Sequence, residues 1–414
     1  MVTVSSDPPV TDPMSGPAPD RGLDRTPDRA SNPGPAGQAV TGEAVTGRTV
    51  AGSAPKGSAQ EGRASEVGTP DAGRPPGFDV VLSGTVFLDI IFTGLPQAPA
   101  AGTEVWASGL GSSPGGVANL AVALSRLRLR TGLAAAFGED VYGDFCWDVL
   151  ANQEHVDLTY SRRFYGWHSP LTVSMAVNRD RSMVTHGHPA PITADELLTP
   201  PPSTRACFVH VDLHEDQWVR TAKRDGALLF ADVGWDPTER WEPRMLQQLA
   251  GYDVFMPNAV EAVSYTRCDD VKQAANALAE VVPVVVVTRG GHGAYAVDAG
   301  TGEEVDVPGL NVAALDPTGA GDVFGAGFVY GTLAGWSLSD RVHFANLCAA
   351  LSVQHFGGSL SAPGWCDLAA WWRHLGRRDD ENLRGYGFLN DLLPQHGCAT
   401  VRRASATIGL RGVP

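Results

Sequence analysis

Alternation of short apolar runs with longer segments, from Arg205 onward, limits what this chain can fold into more than any other feature. Runs at 206–211, 227–231, 253–256 and 284–288 read as strands, and the segments between them are long enough for crossover helices. Near-continuous apolar strands are buried on both faces, as in parallel sheets covered by helices. The expected fold class is α/β, with a doubly wound, mostly parallel central sheet flanked by helices. Runs at 78–84 and 132–137 add two more strands. Alternating stretches between 90 and 110, including Glu104, Val105, Trp106 and Ala107, and at 171–177 and 182–185, suit strands outside the main sheet. The last two are joined by a turn at 178–181. Helical spacing is expected at 120–127, 145–152, 342–355 and 365–375.

A chain of 414 residues has room for one large domain or two, and its composition favours one domain with added segments. Residues 1–77 are rich in Pro, Gly, Ala, Ser and Thr without apolar periodicity, so they are expected to form a disordered leader. Met1 to Asp7 has neither a basic nor an apolar region, which argues against a signal peptide. The folded domain is expected over 78–375 and a C-terminal tail, partly ordered at most, over 376–414. In that tail Tyr386, Phe388, Leu389, Leu392 and Leu393 form an apolar cluster able to dock.

The net charge of -15 disfavours nucleic acid and anionic membrane as partners. The only lysines are Lys56, Lys223 and Lys272, and no Walker-A motif is present, so phosphate binding must use backbone amides and Arg. Six scattered cysteines, Cys146, Cys207, Cys268, Cys348, Cys366 and Cys398, read as reduced thiols of a cytoplasmic protein. No apolar run is long enough to span a bilayer; that at 281–287 is short and contains Pro283.

Chemistry concentrates in Asp316-Pro-Thr-Gly-Ala-Gly-Asp322. Pro317 holds Asp316 extended, so a helix can start only after it, with Gly319, Ala320 and Gly321 at its first turn. Unpaired amides at a helix N-terminus form an anion site, which small residues let a phosphate approach. Asp322 is then either a carboxylate that takes a proton from an attacking hydroxyl or a helix-capping residue. Asp89, beyond the strand at 78–84, is placed to bind substrate hydroxyls or is a solvated loop carboxylate. Pro114-Gly115-Gly116-Val-Ala-Asn119 leads tightly into a helix. Asn258 and Glu261 share one helical face after a strand, fit either for an ion or for an ordinary capping box. Thr288-Arg-Gly290-Gly-His-Gly293 is a glycine-rich loop without a complete GxGxxG. Asp212 is a weaker substrate candidate, and His186 with His188 is a weak metal signal without a third ligand.

These motifs, in this order, resemble the ribokinase-like (PfkB-type) carbohydrate kinases over about 78–375. The resemblance implies ATP-dependent phosphorylation of a sugar hydroxyl, with Asp322 as catalytic base and Gly319, Ala320 and Gly321 as anion hole. It also implies that Asp89, Gly115, Gly116 and Asn119 bind the sugar. Asn258 and Glu261 would hold hydrated Mg²⁺ and nucleotide phosphates, Thr288, Gly290 and Gly293 would line the phosphates and ribose, and Asn346 would border adenine. Backbone oxygens of Asp316, Thr318, Ser352 and Gly357, with the Ser361 hydroxyl, make a candidate K⁺ site. A small β lid is implied at about 86–110 and 164–188, covering the sugar and available as a homodimer contact. Pro114 stands where the first paired glycine often lies, and no Lys follows as in ribokinase itself, so ribose is not implied. A nucleoside kinase of the same fold, with Trp106, Phe164 or Trp167 stacking on a base, is the near alternative. A non-catalytic sugar sensor is the remote one.

Overall fold

Val80, Val81 and Leu82 show how the central layer is built: the outer two side chains enter one buried apolar cluster, and Val81 enters a second on the opposite face. The computed structural model describes residues 77–177, 180–212, 216–234, 236, 238–375, 381–393 and 403–406. The expected leader therefore lies outside the described residues, apart from Gly77. The chain divides after Ala64, and every described residue belongs to the second unit.

In chain order the strands are β1 (Phe78–Ser83), β2 (Val86–Thr93), β3 (Gly109–Gly116), β4 (Thr131–Ala134), β5 (Ala136–Gly138), β6 (Arg162–Phe164) and β7 (Leu171–Val177). They continue as β8 (Asp180–His186), β9 (Thr204–Val211), β10 (Leu228–Val233), β11 (Val254–Phe255), β12 (Val284–Thr288), β13 (Ala294–Asp298) and β14 (Glu303–Val307). Eight of them form the central sheet in the order β14-β13-β12-β11-β10-β9-β1-β4. The six from β12 to β4 run parallel, and β13 and β14 add an antiparallel edge.

Helices cover both faces. Val117–Arg126, Ala320–Leu333 and Leu338–Ser352 bury their apolar residues in the first cluster, whereas Gln217–Arg224, Ala259–Thr266 and Val271–Ala279 pack into the second. Gly327 allows two of the first set to touch, since a Cβ there would lie 2.9 Å from the Ala345 Cα. In the tail, Leu383, Tyr386, Leu389 and Leu393 are buried in the first cluster, with Tyr386 edge-on to His343 and Trp371.

A second sheet, ordered β3-β2-β7-β8, forms the lid layer. Its composition differs from expectation. Glu104 to Ala107 alternates in exposure but has no partner strand among the described residues, while β3 carries the glycine motif itself. Phe164 lies outside this layer, in the separate pair β5-β6. The apolar run at 132–137 splits at Ala135 into β4 and β5. The helix expected from 145 starts at Val141, because Asp140 accepts the amides of Tyr142 and Gly143 and fixes the first turn earlier. Cys146, Cys207, Cys268 and Cys348 are free thiols, but Cys366 is disulfide-bonded, against the expectation of a fully reduced set.

Candidate active site

The helix Ala320–Leu333 begins where the sequence stops it from beginning earlier. Asp316 accepts the Thr318 amide at 2.9 Å and its hydroxyl at 2.6 Å, a local turn that hands the chain to Gly319. Gly319 caps the helix at φ +73, a conformation suited to glycine, with its Cα hydrogen turned toward the Asn119 side chain. The Ala320 amide points back to the Pro317 carbonyl at 3.2 Å. A Cβ on Gly321 would meet none of the described residues within 4 Å. Such a glycine is a place where an anion can reach the backbone.

Asp322, in the first turn, accepts the Asn119 Nδ2 at 3.0 Å. The other amide atom, Asn119 Oδ1, is buried and has no hydrogen-bond partner among the described residues. A buried acceptor without a donor costs on the order of 1–3 kcal/mol, which a hydroxyl bound there would offset. Enclosure pushes the Asp322 carboxyl above the usual carboxylate range, opposed by the charge of His210 and by the Asn119 hydrogen bond.

Asp89 is not at the end of β1, as expected, but inside β2, because the chain turns at Gly84 and immediately begins the lid. It is buried opposite Ser113 of β3 and Thr172 of β7. Its carboxylate lies over Gly115, where a Cβ would stand 2.0 Å from Oδ2. Gly116 serves the backbone instead, capping the helix Val117–Arg126 at φ +64 against the Thr85 carbonyl. Gly358 closes the group, since its Cβ would fall 3.1 Å from Asn119 Oδ1 and 3.9 Å from the Ser113 hydroxyl. The structure thus brings Asp89, Gly115, Asn119 and the Gly319–Asp322 turn into one contiguous group.

Asn258 and Glu261 form a complete capping box at the helix Ala259–Thr266, with Glu261 Oε2 accepting the Asn258 amide at 2.8 Å. Asn258 bridges to Thr288, so β11 and β12 deliver both to one edge. Beyond Thr288, the turn Gly290–His292 leads to Gly293, which is packed on Val307 to Gly309. Asn346 reaches the same place, with Nδ2 3.4 and 3.5 Å from the Val307 and Pro308 carbonyls.

Two cleft residues carry no signal that sequence motifs alone pick out. Asp232, at the end of β10, is paired in register with His210 of β9. Burial and the neighbouring Glu261 raise the Asp232 carboxyl well above its ordinary range, and burial raises Glu261. A carboxylate at the end of a parallel strand was the available signal, as for Asp212, which follows β9 and is exposed. Asp232 and Glu261 are neighbouring carboxylates, the kind of hard oxygen donor that a hydrated Mg²⁺ would take.

The monovalent-cation set fits less well. Asp316 Oδ2 accepts the Gly357 amide at 3.3 Å, which joins the two segments. However, the Ser352 and Gly357 carbonyls accept amides of His355 and Leu360, and the Ser361 hydroxyl donates to Gly358. His186 and His188 meet edge to face, and His168 lies beside His186, but the described residues contain no group of three or more ligands arranged for a metal.

The pfkB family carbohydrate kinase model matches residues 86–365. A 5-dehydro-2-deoxygluconokinase of Geobacillus thermodenitrificans is 23% identical over 328 residues, covering 72% of this chain and 94% of that protein. Among solved structures, Arabidopsis thaliana ribokinase complexed with ribose and ATP superposes with a TM-score of 0.59 at 23% identity, covering 70% of this chain and 96% of that one. Adenosine kinase from Sinorhizobium meliloti gives a TM-score of 0.60 at 18% identity, covering 72% and 100%. With its α/β core, lid layer and glycine-bounded helix N-terminus, the chain belongs to the pfkB family of carbohydrate kinases, phosphotransferases that act on an alcohol group.

Proposed function

We propose that this enzyme transfers the γ-phosphoryl group of ATP to a hydroxyl of a sugar. The observation that carries the reading is the Asn119 amide, which donates to Asp322 while its Oδ1 lies buried without a donor. An acceptor hydroxyl bound there would satisfy Oδ1 and meet the Asp322 carboxylate. Asp89, enclosed over Gly115, would take a second hydroxyl and fix the ring. Asp322 accepts the proton of the reacting hydroxyl, whose oxygen forms the new bond to phosphorus as the bond to the ADP oxygen breaks. Of the expected anion-hole amides, those of Gly319 and Gly321 would face the charge that gathers on the transferred oxygens, while the Ala320 amide is engaged by the Pro317 carbonyl. ATP is the donor bound by the ribokinase of the same fold, and here Asn258, Thr288, Gly290, Gly293 and Asn346 line its expected path. Glu261, through water, would hold Mg²⁺, which when bound neutralises phosphate charge. No step is assigned to K⁺, because its expected oxygens are partly engaged; comparing rates in K⁺ and in a bulky organic cation tests for one.

A nucleoside acceptor is favoured by one feature. A cavity of about 170 Å³ opens at the carboxyl ends of β1 and β4, walled by Trp167 and His188, where a base could stack. Exposed Leu110 and Val184, on one face of the lid sheet, give it an apolar surface for a second copy, which a measurement of mass in solution tests.

Turnover with ribose, fructose and adenosine separates the two acceptor classes. For the mechanism, Asp322→Asn is expected to lower single-turnover rates by about 10⁴-fold, at or above the usual value of a positioned base, with ATP binding unchanged or tighter. A variant keeping more than about a tenth of the rate contradicts the assignment.

A further inference from the structure

Ser113 is fully enclosed, at 0% exposure, yet its hydroxyl has no hydrogen-bond partner among the described residues. A serine hydroxyl can donate one hydrogen bond and accept two, and burying it with none made is unfavourable. Its place in β3 is fixed from both sides. Asp89 of β2 is its register partner, and the Ser359 hydroxyl donates to the carbonyl of the next residue, Pro114, at 2.5 Å. Ser113 and Gly115 stand two residues apart on one strand, so the Ser113 side chain lies on the face of the lid sheet that carries the Asp89 carboxylate.

Asp89 has a hydroxyl residue on either side, and the two differ. Thr172 of β7, its other register partner, pairs its hydroxyl with that of Thr185 at 3.0 Å. Ser113 has no such pairing, and it does not reach the second buried atom in need of a partner, Asn119 Oδ1. The two atoms are nevertheless close. A Cβ on Gly358 would stand 3.1 Å from Asn119 Oδ1 and 3.9 Å from Ser113 Oγ. That residue has φ +47, which suits glycine, so it brings no side chain between them. A sugar carries several hydroxyls side by side, each both donor and acceptor, and can therefore meet both atoms at once.

We propose that Ser113 is a specificity-determining residue whose hydroxyl pairs with a non-reacting hydroxyl of the acceptor, beside the reacting one at Asn119 and Asp322. This rests on the reading of Asn119 and Asp322 as the place of the reacting hydroxyl. With Asp89 taking another, the acceptor class is a compound that keeps three hydroxyls within reach of one another. An acceptor lacking the hydroxyl at Ser113 leaves that buried serine unpaired in the complex, so the deoxy compound is disfavoured from the protein side.

The test uses the fastest acceptor among ribose, fructose and adenosine, with its monodeoxy derivatives, each lacking one non-reacting hydroxyl. Ser113→Ala is expected to lower acceptor kcat/KM about tenfold, with ATP KM within about twofold. Against one derivative, that lacking the hydroxyl held by Ser113, the same substitution should cost less than about twofold, because the bond is already gone. Against the others the tenfold loss should persist. Ser113→Cys, which restores the volume with a weak donor, should behave as Ser113→Ala does. Without acceptor both variants should melt at or above the wild-type temperature, since neither loses a hydrogen bond of the free chain. A melt lowered in both variants, or an equal loss against every acceptor and derivative, is the pattern of a hydroxyl that only holds an internal water or packs the strand, and overturns the proposal. No loss at all overturns it too. If Asp322→Asn is inactive while Ser113→Ala shows any of these patterns, the base assignment stands alone. Should Asp322→Asn keep its rate, the place of the reacting hydroxyl is lost and this proposal falls with it.

Discussion

At Asp322, stability and chemistry pull in opposite directions. Its carboxyl is raised by burial, against His210 and Asn119, so the folded chain holds this proton more tightly than the unfolded chain does. Stability from that proton is present below the unfolded pKa and is lost as pH rises through the folded one. Asp322→Asn cannot ionise, so near neutral pH it is expected to melt at or above the wild-type temperature while losing its rate. Well below the unfolded carboxylate value that advantage should vanish, and thermal melts at the two pH values check the sign. Gly115 and Gly321 then separate the two substrates. Gly115→Ala puts a Cβ 2.0 Å from Asp89 Oδ2, so the buried carboxylate must turn away from the acceptor. Losing a charged hydrogen bond is worth about 1.5–3 kcal/mol, so acceptor KM should rise about ten- to hundredfold with ATP KM unchanged. Gly321→Val has open space, and its expected cost falls instead on kcat and ATP KM.

For the helix Ala259–Thr266, the capping-box reading of the first turn holds, made by Asn258 and Glu261, and Glu261 also acts on Asp232. Gln can serve the box as well as Glu, but it cannot attract a hydrated cation as strongly. Glu261→Gln is therefore expected to change stability by less than about 0.5 kcal/mol yet to need several-fold more Mg²⁺ for half-maximal rate. A Mg²⁺ titration matching the wild type would leave Glu261 as a cap only. The central strands were legible because runs such as Val284–Thr288 are apolar throughout. The glycine motif and the Asp322 turn were legible because a tight entry and a helix start each demand particular residues. The lid was less so, since the alternation at Glu104 to Ala107 says nothing about whether a partner strand is near. Nor could His210 or Asp232 be placed, because their meeting depends on β9 lying beside β10 in this register.

One buried ion pair joins distant parts of the molecule. Arg126 meets both Glu154 oxygens at 2.8 Å, with side-chain exposures of 6% and 2%. The same guanidinium donates to the Leu360, Ala362 and Ala404 carbonyls at 2.9, 2.6 and 3.3 Å, and Glu154 accepts the Ala404 amide at 2.9 Å. The pair thus ties the helix carrying Asn119 to the 358–361 turn and to residues 403–406, which lie past the family match ending at 365. Breaking such a pair from one side leaves a buried charge, so Arg126→Met is expected to destabilise by about 3–5 kcal/mol. Removing 403–414 leaves the pair intact but deletes the Ala404 contacts, for an expected cost of about 1–3 kcal/mol. Its functional effect follows from Ala406, which packs on Gly357: a Cβ on that glycine would lie 2.8 Å from the Ala406 Cβ. The Gly357 amide in turn holds Asp316, at the start of the anion-site turn. The truncated chain should therefore exchange amide hydrogens faster at 357–361 and bind its acceptor more weakly. Unchanged melting, exchange and KM together would show that residues 403–406 rest on the fold without bracing it.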